Sequence, residues 1–435
     1  SQGCEVIHLG HNRSVQEVVD AALEEDVQGV AVSSYQGGHV EYFEYLVESL
    51  RKAGADHVKV VGGGGGVIVP KEIARLREAG VTIFSPEDGQ RMGLVGMINS
   101  VVADCDFDPW QSRQADPESV LSGDRLAVAR AITGAETGQL PAEMLTRIRE
   151  AAAARTTPVL GITGTGGSGK SSLTDEVVRR FRTDQQDKLR IAVIAVDPTR
   201  RKGGGALLGD RIRMQDHALD KDVYIRSMAS RGHLGGLSWS TPQALRVLDA
   251  AGCDVVLVET VGVGQSEVEI AGLADTTLVL LAPGMGDGVQ AAKAGILEIG
   301  DVYVVNKADR DGAEQVRREL RTMISLAERP EGSWKPPIVL TVAQAGQGVD
   351  EVVQAIDEHR AWMESSGELE RRRVRRARDE IEAIALTALR ARWGDVHGRT
   401  ELDELAEQVA AGKSDPYRAA DALLDSFTEL DQATS

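Results

Sequence analysis

The chain has 435 residues, 42% hydrophobic and 27% charged, the balance of a globular protein long enough to bury cores in about three domains. Disorder throughout is thereby excluded. Acidic residues outnumber basic ones, 67 to 49, for a net charge of −18, a field that opposes bulk binding of nucleic acid or of an anionic membrane.

The predicted elements begin almost at once. Ser1, Gln2 and Gly3 lead straight into a strand-like run at 5–9, and so abrupt a start predicts that a segment precedes it in a longer parent. Further strand-like runs lie at 29–33, 58–61 and 82–84, with helical-period segments at 15–25, 40–53 and 71–78 between them. This alternation predicts a parallel sheet covered by helices, with ligand-binding loops at its carboxyl edge. Those loops carry Ser33, Ser34 and Tyr35 and a glycine run from Gly62 to Gly66.

Residues 109–155 read as a helical connector, punctuated at its start by Asp108-Pro109 and Asp116-Pro117. A second α/β unit is expected over 156–362, with strands at 159–163, 190–196, 255–259, 277–282, 302–306 and 338–342. From 363 to 435 the chain turns charged and helical, and Val374, Ile381, Ile384 and Leu389 trace one apolar stripe.

The strongest chemical signal is Gly164-Thr165-Gly166-Gly167-Ser168-Gly169-Lys170-Ser171, a GxxxxGK[ST] loop between a predicted strand and a predicted helix. Its glycines let successive backbone N–H groups point at phosphate oxygens, and the helix N-terminus adds favourable partial charge. Lys170 is expected on the β/γ-phosphates and the Ser171 hydroxyl on Mg²⁺. After the strand at 302–306 comes Asn306-Lys307-Ala308-Asp309. A carboxylate there accepts from guanine N1–H and its exocyclic amine, which adenine does not offer, so the expected nucleotide is GTP. Strand ends also place Asp197 and Glu259 where carboxylates bind a divalent cation; each alone reads equally well as a helix cap.

Four further segments make the resemblance specific. Ala195-Val196-Asp197-Pro198, Leu208-Gly209-Asp210, the stretch from Glu259 to Glu267, and the stretch from Pro283 through Asp287 and Gln290 to Lys293 together resemble the G-protein metallochaperones of adenosylcobalamin-dependent acyl-CoA mutases. The N-terminal unit resembles the cobalamin-binding domain of those mutases, and the tandem is similar to the fused isobutyryl-CoA mutase family, which adds a large mutase barrel downstream. The implied fold class is α/β: a flavodoxin-like, Rossmann-type cobalamin-binding domain over 1–108, the connector, a P-loop NTPase (GTPase) domain over 156–362 and a helical C-terminal arm.

By matching positions, the resemblance implies that Gly167, Ser168, Gly169, Lys170, Ser171 and Ser172 hold the phosphates and that Arg213 contacts GTP. Asn306, Lys307, Ala308 and Asp309 read the base. Ser171, Asp197, Asp210 and Glu259, with Thr260 and the Val196 carbonyl, ligate Mg²⁺. Asp287, Gln290 and Lys293 couple the site to the mutase. Ser33, Ser34, Gly63, Gly64 and Gly65 border the cobalamin tail. Two departures stand out. The family's DxHxxG cobalt-ligand loop is absent: Leu9-Gly10-His11-Asn12-Arg13-Ser14 lacks its Asp and final Gly, and the true loop is expected upstream. The serine usual in the last guanine-contacting loop is replaced within Thr341-Val342-Ala343-Gln344.

The remaining features have plain readings. The arginines between Arg371 and Arg378 are flanked by Glu368, Glu370, Asp379 and Glu380, which suggests i,i+4 pairing on a solvated helix rather than a nucleic-acid site. His217 and His233 lack Cys or His partners at metal spacing. Cys4, Cys105 and Cys253 are dispersed, which suits thiols in a reducing compartment. No apolar run reaches the ~18 residues of a membrane span, so a cytoplasmic protein is expected. The reading is a Mg²⁺-dependent GTPase serving the adenosylcobalamin of an acyl-CoA mutase, joined to a mutase barrel in cis or meeting one in trans, with a homodimer expected through the apolar stripe. The alternative is a stand-alone GTP-switched adaptor for a separate mutase. Maturation of a hydrogenase or urease ranks below both, for want of His- or Cys-rich stretches.

Overall fold

The alternation seen in the N-terminal sequence becomes β1 (Glu5–Ile7), α1 (Val15–Glu24), β2 (Gly29–Ser33), α2 (His39–Lys52), β3 (Lys59–Gly63), α3 (Pro70–Glu78), β4 (Val81–Phe84) and α4 (Pro86–Cys105). This is a computed structural model that describes residues 3–35, 37–64, 66–112, 114–197, 206–208, 211, 214–229, 240–260, 266–284, 298–326, 330–393 and 400–433. The chain divides into two units, Ser1–Glu370 and Arg371–Ser435.

Ser14 starts α1 with a capping box: its Oγ accepts from the Glu17 N–H while the Glu17 carboxylate accepts from the Ser14 N–H. Strands β2, β3 and β4 pair in parallel, with Val30 opposite Val60 and Val61 opposite Thr82. Val18 and Val19 of α1, Phe43 and Leu46 of α2 and Leu76 of α3 bury their side chains in one core with Val60, Val81 and Ile83.

The second α/β region runs through α5 (Pro109–Ser112), α6 (Pro117–Ser122), α7 (Arg125–Thr137), α8 (Ala142–Ala153), β5 (Val159–Gly164), α9 (Lys170–Asp184), β6 (Ile191–Asp197), β7 (Ala206–Leu208) and β8 (Val223–Ala229). It continues with α10 (Thr241–Ala250), β9 (Val255–Thr260), α11 (Ser266–Leu273), β10 (Thr276–Leu281), β11 (Val302–Asn306), α12 (Ala313–Leu326), β12 (Ile338–Thr341) and α13 (Val349–Ser366). Among the described residues its sheet has the order β12-β11-β10-β5-β9-β6-β8, every pair parallel.

Both faces of this sheet are buried, and the strands divide their side chains by the period of two. Ala192, Ile194 and Val196 of β6 share a core with Val128 and Ile132 of α7, Ile148 of α8 and Leu248 of α10. Ile191 and Val193 share the opposite core with Val177 of α9 and Val352 of α13. The helices expected as a connector are therefore a covering layer of the sheet.

The first strand departs from expectation. β1 does not join the N-terminal sheet; it pairs in parallel with β7, Glu5 opposite Ala206 and Ile7 opposite Leu208. The physical reason is apolar contact, since Ile7 packs against Ala206, Leu208 and Ala229.

His217 is buried beside α9. Its Nε2 lies 3.0 Å from the Asp175 carbonyl oxygen and 3.5 Å from Asp175 Oδ1. Burial pushes the Asp175 carboxyl up to about 6, against the opposing pull of His217. An acid with a raised folded-state pKa holds its proton in the native state first, so its stabilising contribution is lost as pH rises from its ordinary value toward about 6. Asp175→Asn is therefore expected to gain on the parent by about 2–4 °C in Tm across that window. A Tm difference that stays constant with pH would sink this assignment.

Trp110 is buried in the core with α7 and α8, and Trp334 and Trp362 pack on the ring of buried His359. Cys4, Cys105 and Cys253 are free thiols, and burial pushes Cys253 up to about 12. Among the described residues no helix is long and apolar enough to cross a membrane.

Helix α14 (Glu368–Trp393) runs across the division between the units, and α15 (Thr400–Ala410) and α16 (Pro416–Ala433) complete the second. Asp415 Oδ1 caps α16, accepting from the N–H groups of Tyr417 and Arg418. Val374, Ile381 and Ile384 of the expected stripe are exposed; the Leu389 side chain lies outside the described residues.

Candidate nucleotide site

Strand β5 delivers the glycine-rich loop to the carboxyl edge of the sheet, and α9 begins at Lys170 directly behind it. Gly167 and Gly169 both have positive φ, 75° and 94°, a backbone region that side chains disfavour. A Cβ at Gly169 would also collide with Asn306 Nδ2. Lys170 is buried, and its Nζ donates to the carbonyls of Gly164 at 2.8 Å and Thr165 at 3.2 Å. The ammonium thus lies folded over the loop whose N–H groups are expected to meet phosphate. Ser168 is buried and Ser172 half-buried.

The second cluster sits where β9 ends beside α9. Glu259 is 1% exposed. Its Oε1 accepts from the Ser171 hydroxyl at 2.6 Å and its Oε2 from the Thr174 hydroxyl at 2.7 Å. The neighbouring strand places Val196 opposite Thr260, with buried Asp197 next in sequence. The Thr260 hydroxyl donates to Thr163 Oγ1 on β5 at 2.9 Å. This is a set of hard oxygen donors at the mouth of a phosphate loop, the chemistry Mg²⁺ takes when it keeps waters and few protein ligands. Among the described residues no group of three or more His, Cys, Asp or Glu is disposed to hold a metal. Thr174 was missed in the sequence. Its position three residues after Ser171, on the same face of α9, was the available signal.

The third cluster ties the base-reading segment to the phosphate loop. Asn306 is buried; its Nδ2 donates to the Ser168 carbonyl at 2.9 Å, and its Oδ1 accepts from the Thr341 hydroxyl at 3.1 Å and the Ala343 N–H at 3.0 Å. Both ends of its amide are engaged with protein, which ties this segment to the phosphate loop. Lys307 takes the left-handed conformation, φ 58°, and its Nζ donates to the Gly167 carbonyl at 2.7 Å. Ala308 N–H donates to the Thr341 carbonyl at 2.9 Å. Asp309 is exposed at the rim. Gly167–Ser171, Glu259 and Asn306–Asp309 are thus brought together at one sheet edge. Arg213, Asp210, Asp287, Gln290, Lys293, Gly65 and His233 lie outside the described residues.

The candidate cobalamin edge is separate. Ser33 pairs with Gly63 across β2 and β3, and the Ser34 N–H donates to the Gly63 carbonyl at 2.9 Å. A Cβ at Gly64 would collide with the Ser34 carbonyl oxygen, and one at Gly62 with the Phe43 ring. Gly62 and Gly64 are therefore demanded by packing. A Cβ at Gly63, Gly37 or Gly38 would make no close contact, and Ser33 is exposed. His11 is exposed as well.

A family model described as the methylmalonyl-CoA mutase-associated GTPase MeaB matches residues 128–395. The chain belongs to the MeaB family. A second model, for the B12-binding domain, matches residues 1–92, so here the MeaB GTPase domain follows a B12-binding domain. A fused isobutyryl-CoA mutase of Nocardia farcinica is 53% identical over 360 residues, covering 82% of this chain and 33% of that protein. One from Cupriavidus metallidurans is 52% identical over 336 residues, 77% of this chain and 30% of that protein. The MeaB-family chain therefore spans about a third of the length of these fused relatives. A Pyrococcus abyssi protein with a GTPase name is 44% identical over 310 residues, covering 71% of this chain and 94% of its own. A solved structure titled LAO/AO transport system kinase superposes with a TM-score of 0.53 at 25% identity, over 73% of this chain and 96% of that one.

Proposed function

We propose that the MeaB-type domain binds and hydrolyses GTP with Mg²⁺, and that this turnover governs loading and protection of the adenosylcobalamin of an acyl-CoA mutase. The observation that carries the reading is the single edge at which the Lys170 loop, the Glu259 hydroxyl cluster and the Asn306–Asp309 segment interlock. Residues Gly167 to Ser172 would cradle the phosphates, with Lys170 released from its loop carbonyls onto them. Ser171, Glu259, Asp197, Asp210, Thr260 and the Val196 carbonyl would hold Mg²⁺, directly or through water. When bound, the cation neutralises charge on the phosphate oxygens.

Hydrolysis is attack of a water oxygen on the γ-phosphorus with cleavage of its bond to the β-phosphate oxygen, giving GDP and inorganic phosphate. The protein's part is positioning and charge stabilisation by Lys170 and the loop N–H groups. Asp309 and Arg213 would contact the nucleotide, and Asp287, Gln290 and Lys293 would relay its state to the mutase. Ser33, Ser34, Gly63, Gly64 and Gly65 would border the cobalamin tail.

The proposed division of labour is 1–108, 156–362 and 363–435, with 109–155 serving as a covering layer of the second sheet. The relatives of triple length favour a parent with a mutase barrel in cis, interconverting isobutyryl-CoA and n-butyryl-CoA in the cytoplasm. The exposed Val374, Ile381 and Ile384 favour a homodimer contact. The adaptor reading keeps one support, the Pyrococcus protein matched over nearly its whole length. Phosphate release by the purified chain should occur with GTP, require Mg²⁺ and be at least about 100-fold slower with ATP. Equal release from both nucleotides would refute the guanine assignment.

A further inference from the structure

The C-terminal end of α1 carries Glu24, Glu25 and Asp26, all buried. Carboxylates in that state need partners, and these come from the other sheet and its covering layer. Arg211 Nε donates to Glu25 Oε1 at 2.6 Å, and its terminal NH₂ donates to Glu24 Oε2 at 2.8 Å and to the Ile225 carbonyl. Arg125 of α7 reaches Glu24 Oε1 at 3.0 Å, and Arg130 lies 3.5 Å from Asp26 Oδ1. Arg226 of β8 donates to Glu136 Oε2 at 2.9 Å and to the Glu24 carbonyl at 3.1 Å. The carboxylates of Glu24, Glu25, Asp26 and Glu136 thus balance the guanidinium groups of Arg125, Arg130, Arg211 and Arg226 in charge.

This cluster is linked to the nucleotide region by chain connectivity and by strand pairing. Arg211 is one peptide bond from Asp210 and follows β7, which is itself laddered to β1. Glu25 also accepts from the Ser227 N–H at 3.1 Å. Ser227 pairs with Ala195, and two residues further Ala229 pairs with Asp197. The N-terminal domain thus holds β7, Arg211 and the strand paired with the one that ends in Asp197.

We propose that the acidic end of α1 is a regulator of the nucleotide site in cis. Arg211 is a positioning residue through which the seated N-terminal domain holds the Mg²⁺-binding side of the site and slows GDP release. By linkage, the bound nucleotide alters in turn how firmly that domain is seated. The inference rests on the guanine-site reading above.

The test is release of mant-GDP, a fluorescent GDP analogue, from the full chain, chased with excess GDP in Mg²⁺ and in EDTA. Arg211→Met and Glu25→Gln should each speed release about fivefold or more in Mg²⁺. The double variant should be no faster than the faster single, and in EDTA all should match the parent. Glu25→Gln, nearly isosteric, carries the test if Arg211→Met does not fold. Unchanged release in folded variants overturns the inference, as does equal acceleration in Mg²⁺ and EDTA, which is general loosening. A parent chain that takes up no mant-GDP overturns the guanine-site reading and this inference with it.

Discussion

Lys170→Ala should reduce GTP turnover by about 100- to 1000-fold, the usual loss when one charge-stabilising donor is removed from a transition state. The ammonium has one place to go when phosphates arrive, because it already spans the Gly164 and Thr165 carbonyls at the floor of the loop. Alanine removes both the tie and the charge. The fold should persist, because β5 is held by its own buried Leu160 and Ile162 packed in a core with Leu173, Val177 and Leu278 rather than by this lysine. Steady-state phosphate release alongside a melting curve separates the two effects. A folded variant with parental turnover would refute the role given to the loop.

Asp309→Asn should exchange guanine for xanthine nucleotides. A carboxylate accepts two hydrogen bonds from guanine N1–H and its 2-amino group; an asparagine side chain accepts one and donates one, which suits the 2-oxo group of xanthine. Two charge-assisted bonds at about 1.5–3 kcal/mol each put the loss of GTP affinity at about 100-fold or more. Competition between mant-GDP and XDP measures the exchange directly. The exposed rim position of Asp309 makes the substitution structurally mild. Replacing Asn306 would not be mild, since its amide bridges Ser168, Thr341 and Ala343. If Asp309→Asn kept full preference for guanine, the base would be read elsewhere.

Much of this was legible because phosphate recognition is a backbone matter. The glycine spacing before Lys170 and the placement of Asn306 after a strand reflect geometry that few other sequences satisfy, and both segments meet in the structure. Less legible was anything depending on partners far along the chain. Strand β8 escaped notice because Arg226 interrupts its apolar run, and that arginine is tolerable only beside Glu136 and the Glu24 carbonyl. The acidic triplet at the end of α1 reads locally as a solvated helix terminus. Nothing nearby in sequence hints that Arg211, 186 and 187 residues away, neutralises it. The same limit misplaced β1. A short strand of moderate apolarity pairs wherever its side chains find cover, and Ile7 found it beside Leu208.

The position of β8 at the rim of the large sheet has a practical consequence for anyone handling the two halves apart. An outermost strand offers unpaired amides to any passing chain, and here the Ser227 amide is closed by a carboxylate from the neighbouring domain. Excising residues 128–395 as a free-standing GTPase would strip that cover and strand Arg211 without its Glu24 and Glu25 partners, while Arg226 would keep Glu136. Such a fragment should self-associate during purification, and the remedy lies in keeping α1 attached rather than in trimming further. In a gene fusion of this kind the seam between modules behaves as part of the interior, and recombination that swaps one half must carry the other half's acidic helix end with it.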